Sequence, residues 1–158
     1  MNNHKALAGV LLTLTLLVGC DSVIPASSKG VCISGYNQNA RHIHEFWLDN
    51  ESKAGCHGNP PGPDEDQIYG GGGKFTCGCR VTPGKQVKLE WEFVQTLAEF
   101  KAKLPSESHE ANVVIPQPES SSSRYFRVYF MKDGSTALQW VDDMGAPVLP
   151  PPTERMSE

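Results

Sequence analysis

Positive charge is scarce in this chain of 158 residues. Its 14 Lys and Arg stand against 18 Asp and Glu, a formal net charge of −4. A nucleic-acid binder needs a basic face to displace counterions from phosphates, so nucleic acid is excluded as a partner. Sustained amphipathic helix patterning is also sparse, which excludes a helical bundle. No internal repeat is present that would build a solenoid or a propeller. Motifs for catalysis are missing as well: there is no Gly-x-Ser-x-Gly and no His-Glu-x-x-His. Asp64-Glu65-Asp66 lacks the spacing of a calcium loop. Gly70 to Gly73 precede Lys74, but Phe75 follows where a phosphate loop needs Ser or Thr, and a strand follows where it needs a helix. Those glycines read as backbone packed closely against a neighbouring backbone. The chain is therefore read as a non-enzyme without a cofactor.

What is present begins at the N-terminus. Lys5 gives a weakly basic start, and Ala6 to Val18 is an almost unbroken run of Leu, Ala, Val, Thr and Gly. The run is short for a membrane span, which needs about 20 apolar residues, and fits a secretory signal. It closes on Leu17-Val18-Gly19-Cys20, which has the form of a bacterial lipobox. A small residue directly before a Cys at the end of the apolar run is what lipidation of that Cys requires. Residues 1–19 are expected to be removed, and Cys20 to carry acyl chains, palmitate among them, facing the periplasm. Asp21 favours retention at the inner over the outer membrane. Removal of residues 1–19 from 158 leaves 139, enough for one domain, and removes Lys5, so −4 becomes about −5. An acidic mature chain suits a basic protein partner.

Cysteine usage agrees with export. Of five Cys, Cys20 is assigned to lipid, leaving Cys32, Cys56, Cys77 and Cys79. An even number in an exported chain predicts two disulfides. A bond between Cys77 and Cys79 closes a very small loop, so each is expected to reach separately to Cys32 or Cys56, with the pairing open. His42, His44 and His57 with Cys56, Cys77 and Cys79 offer the donor types of a tetrahedral zinc site, the basis of a small metal-dependent enzyme. An oxidising compartment consumes those thiols, so no metal is expected.

Along the chain, residues 20–30 read as the lipidated Cys and a flexible Ser/Pro/Gly tether. Residues 31–148 read as a single β-rich domain, and residues 149–158 as a Pro-rich, polar tail. Strands are expected at 30–36, 43–48, 74–81, 86–93, 112–115, 124–131 and 136–141. Phe75, Cys77, Cys79 and Val81 alternate to one face, as do Val87, Leu89, Trp91 and Phe93, with Lys88, Glu90 and Glu92 opposite. Thr82-Pro83-Gly84-Lys85 between them predicts an antiparallel hairpin, and Asp133-Gly134 predicts another. Residues 94–103 suit one short helix, with Leu97, Phe100 and Leu104 at helical spacing and Pro105 as its stop. His109-Glu110 reads as loop.

The fold class expected is mainly β: a small, disulfide-braced, antiparallel β-sandwich or open barrel with at most one short helix. Trp47, Trp91 and Trp140 are expected in the core. The long segment 49–73 is of a length that is usually functional or disulfide-held. Its Asp64, Glu65 and Asp66 are the candidate partner-binding residues. Glu90 and Glu92 are further exposed carboxylates for an acidic docking surface, and 120–123 is a lesser candidate loop.

Several segments together resemble one family. They are Gly35-Tyr36-Asn37, the strand from Phe46 to Asp49, Gly70 to Gly73, Cys77-Gly78-Cys79, the Pro83-Gly84 turn, Val87 to Trp91, Tyr125 to Met131, and Asp133-Gly134. In that order they span residues 31–148 and resemble the proteobacterial lipoproteins catalogued as domain of unknown function 3304. Two features depart from the family's pattern: Gly78 separates cysteines that are commonly adjacent, and Val81-Thr82 replaces a Trp before the turn. The resemblance implies a lipoprotein encoded beside a type VI secretion phospholipase effector, acting as its periplasmic immunity protein. Such a protein binds the incoming lipase and blocks its catalytic entrance or its membrane-docking face. The alternative is a structural or assembly lipoprotein of the envelope without a toxin partner.

Overall fold

The computed structural model describes residues 27–72 and 74–148. The signal segment 1–19, Cys20, Asp21 and the tether up to residue 26, Gly73, and the tail 149–158 lie outside the described residues. Among the described residues the strands are β1 (Lys29–Asn37), β2 (Ile43–Leu48), β3 (Cys56–Gly58), β4 (Gly70–Gly71), β5 (Thr76–Val81), β6 (Gln86–Phe93), β7 (Ser108–Val114), β8 (Tyr125–Phe130) and β9 (Thr136–Val141). One helix, α1 (Leu97–Lys101), stands between β6 and β7. Two sheets result. In the first, β1 pairs with β8 on one side and β8 with β9, while β4 and β5 share the other side of β1. The second runs β3-β2-β6-β7.

The sheets face each other across one core, so the fold is a β-sandwich and not a closed barrel. From the first sheet come Ile33, Cys79, Val81, Phe126, Val128 and Phe130, and from the second Ile43, Phe46, Leu48, Leu89 and Trp91, all buried. The alternation read in β6 supplies Leu89 and Trp91, and β8 supplies Phe126, Val128 and Phe130. Trp91 and Trp140 are buried, as expected, but Trp47 is not. It stands on the outer face of β2, between Phe46 and Leu48, which both turn inward.

The mostly antiparallel arrangement expected is found, with one parallel ladder. β1 and β8 run parallel, from Cys32 opposite Tyr125 to Asn37 opposite Phe130. The chain completes the whole second sheet before β8 returns beside β1, and a connection of that length permits the parallel pairing. The hairpin expected across Thr82 to Lys85 is also corrected. The turn exists, closed by Lys85 N donating to Thr82 O at 3.1 Å. Its strands nevertheless join different sheets: β5 pairs with β1, and β6 with β2 and β7. Both strands have an apolar face, and each closes the core from its own side.

The face assigned to β5 is corrected for its first half. Cys79 and Val81 are buried, whereas Phe75 and Cys77 are exposed. Val31 opposes Cys79 and Cys32 opposes Cys77, so Gly78 is an extra residue in the ladder. Its φ of +89° suits glycine, and a bulge of this kind reverses which side the preceding residue faces. The bulge lets two nearby cysteines serve different partners. Cys77 bonds Cys32 within the first sheet, and Cys79 bonds Cys56 on β3, tying the two sheets together. Both bonds follow the expected separate reach.

The long segment 49–73 is pinned rather than loose. It holds a 3-10 turn at Asn50–Ser52, then β3 and β4. A Cβ on Gly70 would lie 2.2 Å from Gly62 O, and one on Gly71 would lie 2.4 Å from Gly35 O. Gly70 and Gly71 are thus spent on close backbone approach. The helix is shorter than expected, because Thr96 caps it and Glu99 closes a capping box. Residues 108–111 belong to β7, so His109 and Glu110 are strand residues rather than loop.

Candidate partner-binding surface

The antiparallel register fixes what the outer face of the second sheet displays. Residues directly opposite on one face have adjacent side chains. Glu45 opposes Glu92, Glu90 opposes Glu110, and Trp47 opposes both Glu90 and His57. Two like-charged cross-strand pairs therefore flank an outward tryptophan. Opposite charge is thin: Lys88 Nζ reaches Glu110 at 3.2 Å, and His57 Nδ1 lies 3.2 Å from Glu45. The ammonium of Lys88 is held above its ordinary range, first by its hydrogen bond to Glu110 and then by the charge of that carboxylate. A shallow depression of about 430 Å³ lies here, lined by Trp47, Glu90, Glu92 and, at the β7 edge, Ser108, His109 and Glu110. Like charges directly opposite destabilise a sheet, so this face costs the isolated chain stability.

A second charged group sits at the end of the sandwich where α1 lies. The guanidinium of Arg41 bonds Glu107 at 2.5 Å and Glu99 at 3.2 Å. The Glu107 carboxyl is lowered from its ordinary range, chiefly by its hydrogen bond from His109, with Arg41 adding to it. The Glu99 carboxyl is lowered first by the Thr96 backbone N–H and then by the Thr96 side chain, with Arg41 a lesser cause. These bonds tie α1 to the segment between β1 and β2 and to the residue that precedes β7. They leave the apolar residues of the helix outward: Leu97, Phe100 and Leu104 are 67%, 69% and 52% exposed. The helical spacing read in the sequence is real, but the stripe does not enter the core.

On the outer face of the first sheet a tyrosine cluster is closed. The rings of Tyr36 and Tyr129 stack at 5.2 Å, and Tyr69 from the pinned loop packs edge-on against both. Tyr129 Oη donates to Gln139 Oε1 at 2.7 Å, and burial raises its phenol above the ordinary range. Arg127 is buried over the Tyr36 ring and donates to Gly145 O. The face is filled by its own chain.

Asp64, Glu65 and Asp66 are exposed, in a turn closed by Gln67 N donating to Asp64 O at 3.0 Å. Among the described residues they form no ion pair. No contact joins them to Glu90 or Glu92, so the carboxylates grouped in the sequence reading occupy separate surfaces. Glu45 is a site residue that the sequence reading did not name, and Trp47 and Glu110 are site residues that it placed in the core and in a loop. A β7 read from Asn112 onward left Glu110 out of the ladder, and only the register places it beside Glu90. Ser120 and Ser123 turn inward to Asp142, at 3.2 and 2.9 Å, so that loop is engaged with its own chain.

The metal-site donors are dispersed. All four cysteines are in disulfides, and His57 faces Glu45. Among the described residues no three His, Cys, Asp or Glu gather as metal ligands. Compared with protein-family models, curated proteins and solved structures, the chain matches none.

Proposed function

We propose that this chain is a membrane-anchored envelope lipoprotein that binds and neutralises a type VI secretion phospholipase effector. The binding part of the reading is carried by the outer face of the second sheet. Two opposed Glu pairs around a half-buried, outward-facing Trp47 weaken the free chain, and a basic partner surface would remove that penalty on docking. The lipobox at Cys20 supports the anchor, and two disulfides suit an oxidising compartment. The resemblance to immunity-type lipoproteins supplies the class of partner. Anchoring at Cys20 raises the effective concentration of the inhibitor at the membrane it protects. The face of sheet two is the first contact surface, and Asp64, Glu65 and Asp66 a second acidic one.

The test is rescue. A candidate phospholipase from the neighbouring gene is directed to the periplasm of a sensitive host, with and without this protein bearing an intact Cys20. Restored growth with a recoverable one-to-one complex supports the reading. Lysis despite a lipidated, folded protein overturns it in favour of a structural lipoprotein. A Cys20→Ala form exported by another signal then reports what the anchor adds.

A further inference from the structure

β7 is the outer edge of the second sheet, hydrogen-bonded to β6 alone. At its two ends Phe93 N donates to Glu107 O at 3.0 Å, and Ile115 N to Lys85 O at 2.9 Å. Bonded positions alternate along an antiparallel ladder. The odd-numbered residues of β7 therefore bond to β6, and the N–H and C=O of Ser108, Glu110, Asn112 and Val114 point off the sheet. Among the described residues no backbone group meets them.

Exposed edges usually carry a device against pairing: brevity, an inward charge, a proline, a bulge or a cover. Here β7 is seven residues long, with a continuous register and no Pro or Lys within it. The opposite edge of the same sheet, β3, has only three residues. The open side of β1 is covered by β4 and β5. The outer strand of the first sheet, β9, lies away from the acidic face; among the described residues β7 alone is a long, straight edge beside that face, and its one carboxylate, Glu110, guards it against an acidic strand but not a basic one.

We infer that β7 accepts an added strand from a protein partner, an extended segment in which basic residues alternate with apolar ones. Such a strand would bond to the outward groups of Ser108, Glu110, Asn112 and Val114. Its basic residues would lie beside Glu110 and Asn112, on the face where Lys88 is the only lysine. Its apolar residues would continue the row of Ala111 and Val113. A second copy of this chain fits poorly, because its β7 has no Lys or Arg and would extend one acidic face with another. The identity of the partner as the lipase rests on the proposed function; the chemistry of the edge does not.

The probes are two capped hexapeptides, Lys-Val-Lys-Val-Lys-Val and Glu-Val-Glu-Val-Glu-Val, added to the full lipidated chain in nanodiscs. Amide exchange across residues 106–116 is the readout. The basic peptide is expected to slow exchange at the outward amides by about tenfold, and the acidic peptide to leave it unchanged. Asn112→Pro removes an outward N–H, and Glu110→Lys reverses the charge without touching the backbone; either should abolish the protection. Equal protection by both peptides, none by the basic one, or a β7-dependent dimer in sedimentation overturns the assignment. In the rescue assay, full protection by both variants sinks the edge while leaving immunity intact. Failure of the unaltered protein sinks immunity alone.

Discussion

The two disulfides make unequal demands on the fold, and their removal can be ranked. Cys32–Cys77 closes a sequence separation of 45, and Cys56–Cys79 one of 23. Chain entropy alone makes the longer closure the more valuable, at roughly 4.0 against 3.4 kcal/mol. Burial reverses that order. Cys56 and Cys79 are 3% and 0% exposed in the core between the sheets, whereas Cys77 is on the surface. Replacing both buried sulfurs with the hydrogens of alanine loses at least about 0.8 kcal/mol each, the value of a buried methylene. Cys56→Ala with Cys79→Ala should therefore cost about 5 kcal/mol, and Cys32→Ala with Cys77→Ala about 4.

The topology gives the same ranking. β1 and β5 remain paired by their backbone ladder without Cys32–Cys77, whereas β3 and β5 belong to different sheets and share no ladder. A domain of this size has about 5–15 kcal/mol in total, so the first pair of substitutions takes a large share. Urea unfolding of the periplasmically produced variants, compared at equal slope, is the assay. If the Cys32/Cys77 variant proves the less stable, loop entropy outweighs core burial here and the argument fails.

Four further outcomes follow from the geometry. Gly70→Ala should cost more than about 2 kcal/mol in urea unfolding, since its Cβ would overlap Gly62 O, while Gly134→Ala, in open space at φ +86°, should cost only about 1. Glu99 and Glu107 have carboxyls held below the unfolded value of 4.5, so their stabilisation is present at neutral pH and is lost as pH falls below that value through their folded values. Arg41→Gln should flatten the acid limb of a Tm-versus-pH profile, and an unchanged limb would show that Arg41 does not help hold these carboxylates. Changing Asp64, Glu65 and Asp66 together to Lys should leave stability within about 0.5 kcal/mol and weaken partner binding; unchanged affinity in the folded variant removes that loop from the contact surface. Glu90→Gln should stabilise the free chain by about 0.2–1 kcal/mol, measured by urea unfolding, while weakening the complex.

Strand existence was legible because period-two alternation records which side of a strand meets the core. Val87, Leu89, Trp91 and Phe93 announce β6 without any knowledge of its neighbours, and Asp133-Gly134 announces the β8–β9 turn. Sheet membership was not legible, because an apolar face says that a strand is half-buried, not against which sheet. β5 and β6 satisfy the hairpin signal of a four-residue turn, yet Cys79 is bonded across the core to β3 and draws β5 to β1. One residue, Gly78, changes the facing of Cys77 and Phe75, and no periodicity count anticipates a bulge whose purpose is to separate two disulfides. The exposed stripe of α1 misled for a related reason. Leu97, Phe100 and Leu104 have core spacing, but the ionic group of Arg41, Glu99 and Glu107 fixes the helix by its polar side.

The candidate surface divides along the same line. Exposure of Glu90 and Glu92 could be read from β6 alone, because the opposite residues are all apolar. What makes those carboxylates a surface is their partners, Glu110 from β7 and Glu45 from β2, and cross-strand partners exist only in the register. Within β6, Lys88 and Glu90 look like an ordinary mixed polar face. Across three strands the same residues become a row of acid that a single lysine answers. A sheet selected for its own stability would alternate the signs. Of the two like-charged pairs, Glu90 and Glu110 is the one beside the open edge. The same pair should thus carry opposite effects on stability and on binding, a separation that a merely solvated face has no reason to show.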